Sequence, residues 1–293
     1  MKTRINKLKL KKAIFCAVVL ALPLVQFCVF YIYINFRAIT MAFENAKGEW
    51  IWFDNFKTVF ADFSDKTWGY ALKNSLLRYV LLIVITTPLA LLLAFLVYKH
   101  STHRWTNIVR VIFYVPTIMS AIVTSVIYQC FVEDAIPALF NLEMGLLTNP
   151  QTKFITIFMY GIWLGFGSTI IIDVNILKGI SESEIEAARL EGANFGQEFI
   201  YIALPHLFPL WKISFVTGIP TLLTATFSLY EFYGLYATPE ISTVGYILFK
   251  RPLTESVDKF PEIAALGLLC TIVILPIAFG ARYLLNKIDP MEN

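Results

Sequence analysis

The side chains that could do chemistry are concentrated in one charged stretch, GISESEIEAARLEGANFGQEFIYIALPHLF, which covers residues 179–208. Ser181 and Ser183 each begin an S-x-x-E spacing, and each can form a capping box at the start of a helix. Gly192 then permits a turn. The pattern predicts a helix–turn–helix that docks another protein, because long ordered loops are usually functional. A solvated connector is the alternative.

Enzyme motifs are missing from the sequence. There is no G-x-x-x-x-G-K-[S/T] phosphate loop, no H-E-x-x-H, no Cys/His metal spacing and no G-x-S-x-G elbow. Of the three histidines, His100 and His103 lie in a short basic loop, where a solvated role is favoured over a ligand role, and the third is His206. We therefore expect no catalytic residue, metal or cofactor on this chain.

The rest of the chain is apolar and is organised in blocks. It is 57% hydrophobic and 15% charged, whereas soluble domains are ~25% charged. Six blocks are long enough to cross a bilayer, and they cover about residues 13–36, 70–98, 108–130, 154–177, 209–233 and 261–285. The prediction is an all-α polytopic membrane protein with six transmembrane helices. Lys73 and Arg78, in the second block, would reach the outer interface or face other helices.

Charge placement predicts the orientation. Residues 1–12 are rich in Lys and Arg and contain no acid, so the positive-inside rule puts both termini and the charged stretch in the cytoplasm. The apolar run that follows is too long for a signal peptide. We expect a basic tail at 1–12, a first helix with an extracellular aromatic loop at 13–69, a five-helix core at 70–285 and a cytoplasmic tail at 286–293.

The extracellular loop is expected to lie at the membrane interface. It contains several aromatic residues, namely Trp50, Trp52, Phe53, Phe56, Phe60 and Trp68. A short helix lying on the membrane would place them there, and an aromatic belt is favoured over a ligand-binding role.

Hydroxyl side chains in the apolar blocks are candidates for lining a translocation path. The candidates are Thr217, Thr221, Thr224, Ser228, Tyr230 and Glu231 near the fifth block, and Ser120 and Thr124 in the third. The first three threonines would share one helical face. Alternatively, each hydroxyl bonds a backbone carbonyl or a neighbouring helix. With no intramembrane basic cluster or acidic array, the composition suits a neutral polyol or sugar.

The charged stretch resembles a family signature. Its pattern is E-A-A, three residues, G, nine residues, I, one residue and L-P, and it is formed here by Glu186, Ala187, Ala188, Gly192, Ile202, Leu204 and Pro205. This resembles the membrane subunits of type I ABC importers. The resemblance covers roughly residues 65–285 and includes Asn74, Ser75, Pro116, GLLTNP at 145–150 and Trp163. It is closest to the sugar-type branch, although YATPE replaces that branch's usual Gly-Gly-Pro turn.

The resemblance implies a permease fold, a partner set and roles for these residues. Glu186, Ala187, Ala188 and Gly192 would dock a coupling segment, 181–205, onto a separate cytosolic ATPase, while Ile202, Leu204 and Pro205 would hold the segment to the membrane core. The implied partners are a second permease subunit (as a heterodimer), two ABC ATPase subunits that bind ATP and magnesium, and an extracellular solute-binding protein.

The implied function is import of a sugar or oligosaccharide across the bacterial plasma membrane. The alternatives are a permease for a peptide or polyamine, and a secondary transporter or channel that works alone.

Overall fold

The computed structural model describes residues 2–101 and 104–288, so His103 and residues 289–293 of the expected C-terminal tail lie outside the described residues. Within the described ranges the chain is helical, and its only β-pairing is an isolated antiparallel bridge between Glu44 and Trp50. The all-α prediction is therefore confirmed.

Six helices in the described part of the chain are long and apolar enough to cross a membrane, which confirms the predicted number. We call them membrane helices 1 to 6, and they are Ile14–Met41, Lys66–Lys99, Ala121–Phe140, Lys153–Leu177, Phe195–Gly218 and Val257–Ile288. The first of them continues a helix that begins at Lys2. The shorter helices are Asp54–Asp62, Arg104–Ile118, Glu182–Leu190, Thr221–Thr224, Leu229–Tyr233 and Val244–Thr254, with a 3₁₀ turn at Pro239–Ile241.

The third block is broken where the sequence predicted one helix. One helix ends at Ile118 and membrane helix 3 begins at Ala121. Ser120 between them has an extended backbone, with ψ at 147°, and its hydroxyl accepts a hydrogen bond from the Val123 amide at 3.4 Å. The predicted span over residues 108–130 is wrong because Ser120 is a helix N-cap, a role that serine favours over the helix interior.

The fifth block also differs from the prediction over residues 209–233. Membrane helix 5 begins at Phe195, inside the predicted docking stretch, and ends at Gly218. Pro220 follows shortly after, and its missing N–H cannot continue the ladder of helical hydrogen bonds. Thr221 and Thr224 therefore lie in a separate short helix, so the predicted shared face with Thr217 is wrong. The second half of the predicted helix–turn–helix is the first part of a spanning helix.

Two compact units can be distinguished. The first unit comprises residues 1–62 and 254–269. In it, the Asn55 amide donates hydrogen bonds to the Ala42 and Glu44 carbonyls at 2.9 and 2.8 Å. These bonds fix the aromatic loop next to the Asp54–Asp62 helix, which is the short helix predicted for this loop.

The second unit comprises residues 63–253 and 270–293. In it, a buried apolar cluster joins membrane helices 2 and 4, where Ala90 and Ala94 face Phe158, Ile162 and Phe166. Small residues on one helix let the other approach closely, which is how helices associate in a bilayer without a hydrophobic driving force between them.

Candidate functional site

The Glu182–Leu190 helix has a defined start. Ser181 is its N-cap, with an extended backbone, and its hydroxyl accepts a hydrogen bond from the Glu184 amide at 3.3 Å. Of the two serines that the sequence offered as helix starts, Ser181 is therefore the one used. Ser183 lies within the first turn, and its hydroxyl donates to that of Ser181 at 3.3 Å.

The same helix ends at a glycine. Gly192 has a φ of +83°, a left-handed conformation that side-chain-bearing residues adopt at a cost. The Ala193 amide donates to the Ala188 carbonyl at 2.9 Å, and the Gly192 amide donates to the Arg189 carbonyl at 3.0 Å. This is the bond pattern of a Schellman motif, which satisfies the last carbonyls of a helix.

A capping box begins the next helix two residues later. The Asn194 side chain accepts from the Gln197 amide at 3.0 Å, and the Gln197 side chain accepts from the Asn194 amide at 2.8 Å. The turn between the two helices is thus fixed at both ends by local hydrogen bonds, so the Glu182–Leu190 helix is held at a defined angle to membrane helix 5.

The outer face of the Glu182–Leu190 helix is exposed. Glu186, Ala187 and Gly192 are exposed and Ala188 is half-buried. Leu190 is 90% exposed although it is apolar. This face combines small side chains, one carboxylate and one projecting leucine, so another protein could approach its backbone closely.

The inner face of the helix is attached to membrane helices through an apolar cluster. The buried members of that cluster are Leu91, Phe95, Leu177, Ile180, Ala203 and Leu207. Ile185 from the Glu182–Leu190 helix packs against it, and so do Ile202 and Leu204. Pro205 lies in the α-helical turn that begins at Leu204 and is partly buried.

An ionic contact that the sequence reasoning missed joins the helix to the same membrane helices. Glu198 is 6% exposed. Its carboxylate accepts a hydrogen bond from Lys99 Nζ, at the end of membrane helix 2, and another from Arg189 Nε at 3.3 Å. The three residues are far apart in sequence or separated by a turn, so no spacing rule indicates the contact. A second link brings Glu184 Oε2 within 3.7 Å of His206 Nε2.

The predicted path residues are not gathered in one place. The hydroxyls of Thr217, Thr221 and Thr224 donate to the Ile213, Gly218 and Pro220 carbonyls at 2.9, 2.6 and 3.0 Å. Thr124 is buried, and its hydroxyl lies 3.0 Å from that of Tyr160.

Tyr230 and Glu231 follow one another in a short helix. The Tyr230 ring packs edge-on against Phe249, with centroids 5.0 Å apart. The Glu231 Oε2 atom is buried and has no hydrogen-bond partner among the described residues.

A cavity of about 330 Å³ lies between membrane helices 2 and 4 and the segment at residues 227–228. Of the predicted path residues, only Ser228 lines it. Arg78 also lines it and is 2% exposed. Of the two positions that the sequence left open for this arginine, it takes the one facing other helices, whereas Lys73 is exposed. Among the described residues, no group of three His, Cys, Asp or Glu side chains could hold a metal ion.

Comparison with known proteins gives a family match over most of the chain. Residues 69–291 match the family described as "Binding-protein-dependent transport system inner membrane component". The chain is 30% identical over 170 residues to the probable ABC transporter permease protein YesP of Bacillus subtilis, an alignment that spans 55% of this chain and 53% of that protein. It is 22% identical to the lactose transport system permease protein LacF of Rhizobium radiobacter, with 87% of this chain and 88% of that protein aligned.

The fold is also similar to a solved structure. A chain from a bacterial ABC transporter involved in the import of the acidic polysaccharide alginate superposes with a TM-score of 0.81 over 97% of this chain and 99% of that chain, at 21% identity. At that identity the likeness concerns the fold alone. Together with the family match it confirms the ABC importer permease fold that the resemblance implied.

Proposed function

The chain belongs to the family of binding-protein-dependent transport system inner membrane components, and on that premise we propose that it forms half of the translocation path for a sugar or oligosaccharide. Members of this family are permease subunits of ABC importers, so the chain is a transport subunit and not an enzyme, and ATP is hydrolysed on a separate chain. It is a multi-pass protein of the bacterial plasma membrane.

The Glu182–Leu190 helix carries the proposal. Its outer face is exposed, with Leu190 at 90%, while its inner face is bound to membrane helices 2 and 5 through an apolar cluster and the Glu198 carboxylate. An exposed surface that is rigidly attached to spanning helices is what a coupling element requires. In this proposal Glu186, Ala187, Ala188 and Gly192 contact the ATPase.

Ile202, Leu204 and Pro205 hold the coupling segment, 181–205, to the membrane core. Contact with a cytosolic ATPase requires that this segment face the cytoplasm. The same orientation puts the tails at 1–12 and 286–293 in the cytoplasm and the loop that follows the first helix outside.

The sugar assignment is supported by the relatives. LacF is named as a lactose transport permease, and the similar fold comes from an alginate importer. The family description implies a solute-binding protein as a partner. The proposed complex further contains a second, different permease subunit and two ATPase subunits, which bind the ATP and magnesium.

Reversal of one exposed charge on the coupling helix tests the proposal. In the reconstituted complex, Glu186→Lys should abolish ATP-driven sugar uptake and co-purification of the ATPase, while membrane insertion stays normal. The matched control is Glu143→Lys, at a glutamate that is also exposed, in the loop at the opposite end of membrane helix 4, which should leave ATPase capture unchanged. The proposal fails if the Glu186 variant transports normally, or if the purified chain moves solute without any ATPase.

A further inference from the structure

Arg78 leaves one edge of its guanidinium group free. The Nη1 atom donates a hydrogen bond to the Phe227 carbonyl at 3.3 Å. The Nε and Nη2 atoms are buried and have no hydrogen-bond partner among the described residues. These two nitrogens carry the parallel N–H groups of one edge of the fork, the edge that binds both oxygens of a carboxylate at once.

The surroundings stabilise the positive charge without occupying that edge. The rings of Phe154 and Phe227 lie 5.1 and 5.4 Å from the guanidinium carbon, in cation–π contact. Aromatic faces accept no strong hydrogen bond, so the desolvation of two N–H groups remains uncompensated. A buried charge with unpaired donors is costly to keep, and an anionic ligand is the group that would compensate it.

The free edge belongs to a side chain that lines the cavity of about 330 Å³. Small-molecule sites usually occupy ~300–1,000 Å³, so this volume suits about one sugar ring. The lining combines aromatic surfaces at Tyr160 and Phe227 with hydroxyls at Thr86 and Ser228. A Cβ added to Gly161 would meet nothing within 4 Å, so this lining residue leaves space that a side chain would fill.

The backbone around the cavity departs from regular geometry on both sides. Phe227 and Ser228 have φ values of +51° and +60°, which are strained for residues other than glycine. Such strain is concentrated at ligand clamps and active sites. On the other side, the lining residues Leu82 and Thr86 are the ends of a π-helical segment, a feature that is frequent at functional sites.

We propose that this cavity binds a sugar that carries a carboxylate, and that the carboxylate accepts two parallel hydrogen bonds from Nε and Nη2 of Arg78. The inference rests on the proposed function and narrows its substrate class to an acidic saccharide, in place of the neutral sugar that the sequence favoured. The hydroxyls of Ser228 and Thr86 form hydrogen bonds with the other polar groups of the sugar. Arg78 selects a sugar that carries a negative charge.

Binding to the purified importer complex tests the inference, with galacturonate, galactose and inorganic phosphate as separate probes in calorimetric titrations. The wild type should bind galacturonate at least about tenfold more tightly than galactose, since charge-assisted bidentate bonds are roughly twice as strong as neutral ones. Arg78→Lys keeps the charge but loses the fork, and should weaken galacturonate binding by about tenfold or more. The Lys73→Met variant changes an exposed residue of the same helix, and it should bind galacturonate as tightly as the wild type does.

A cavity-filling variant keeps the test decisive if Arg78 variants fold poorly. Gly161→Leu leaves Arg78 intact and should abolish galacturonate binding. Equal binding of galactose and galacturonate, or unchanged galacturonate affinity in both variants, overturns the inference. Tighter binding of phosphate than of galacturonate also overturns the inference, because the Nε and Nη2 atoms of Arg78 would then bind a free phosphate or a lipid headgroup.

ATP-driven uptake separates this inference from the proposed function. Import of a neutral sugar that does not depend on Arg78 would keep the importer assignment and overturn the acidic-saccharide site. Absence of any ATP-driven sugar uptake by a complex that still binds galacturonate through Arg78 would overturn the proposed function and keep the site.

Discussion

Arg189 Nε donates a hydrogen bond to Glu198 Oε1 at 3.3 Å and so ties the exposed Glu182–Leu190 helix to the first turn of membrane helix 5. The other oxygen of the same carboxylate binds Lys99, the last residue of membrane helix 2. Glu198 therefore joins the proposed ATPase-docking helix to two spanning helices. A displacement of the docking helix must either move these helix ends or break the ionic contacts.

Glu198→Gln should uncouple the docking helix from the membrane. The substitution removes the negative charge from a site that is 6% exposed, and it leaves one acceptor oxygen in place of the two that bind Lys99 and Arg189. Loss of hydrogen bonds to charged groups costs about 1.5–3 kcal/mol each, and partial exposure of Arg189 lowers that figure. We expect a lower melting temperature of the purified complex and less sugar transported per ATP hydrolysed.

The control for this substitution is Glu191→Gln, which removes the same charge from the exposed C-cap of the Glu182–Leu190 helix. This variant should have the same melting temperature as the wild type and should transport the same amount of sugar per ATP hydrolysed. Equal behaviour of the two variants would show that Glu198 contributes only general surface charge.

Leu190→Gln should weaken capture of the ATPase without affecting the fold. The side chain is 90% exposed, so a polar replacement removes almost no packing within this chain. If the ATPase covers Leu190, its loss exposes apolar surface of the partner and weakens co-purification. Tyr236→Gln is the matched control, since Tyr236 is 89% exposed and lies outside the coupling segment. Unchanged ATPase capture by the Leu190 variant would place the docking surface elsewhere.

Gly192→Ala should act through the backbone alone. A Cβ at this position meets nothing within 4 Å, but the φ of +83° is unfavourable for alanine. A left-handed non-glycine residue costs roughly 1–2 kcal/mol, so the Schellman turn should loosen and the docking helix should fray at its end.

Amide hydrogen exchange measures that fraying, and the expected result is faster exchange at residues 190–193 together with lower uptake. Gly196→Ala is the control, because its Cβ would make an ordinary 3.5 Å contact with Asn194 and its backbone is helical. Equal exchange in the two alanine variants would contradict the requirement for glycine at position 192.

Local signals in the sequence predicted local structure well. The S-x-x-E spacing at Ser181 and the glycine at 192 depend only on neighbouring residues, and both define the docking helix as expected. The second helix of the predicted helix–turn–helix does begin at Phe195, but its continuation into membrane helix 5 was missed, because Pro205 was interpreted as the boundary between the two. Ser120 was taken for a path residue within a helix, since a single serine between apolar residues suits either a cap or a helix interior.

Long-range contacts could not be predicted from spacing. Arg78 and Phe227 are brought together by the packing of membrane helix 2 against a segment far along the chain. The sequence offered two environments for Arg78 and no means to choose between them. The burial of Glu198 has the same origin, because its partner Lys99 ends a different membrane helix.

Asn74→Asp should destabilise the second compact unit more than Asn74→Ala. The Asn74 amide group is buried and donates to the Glu240 and Ser242 carbonyls at 2.7 and 3.0 Å, which fixes the segment after membrane helix 5 against membrane helix 2. Alanine loses the donors, at about 1–3 kcal/mol for the unsatisfied groups. An ionised aspartate has no donor at all, and it would also place a negative charge against two carbonyl oxygens. The melting temperature of the purified complex should therefore decrease in the order wild type, alanine variant, aspartate variant.

Hydrogen exchange localises the effect of this pair of substitutions. Amides in the segment 240–244 should exchange faster in both variants, because the Val244 amide donates to the Ser75 hydroxyl at 3.1 Å and depends on the same alignment. Lys73→Ala, at the exposed neighbouring position, should change neither measurement. If the aspartate variant melts at or above the temperature of the alanine variant, the two carbonyls do not converge on Asn74 in the membrane.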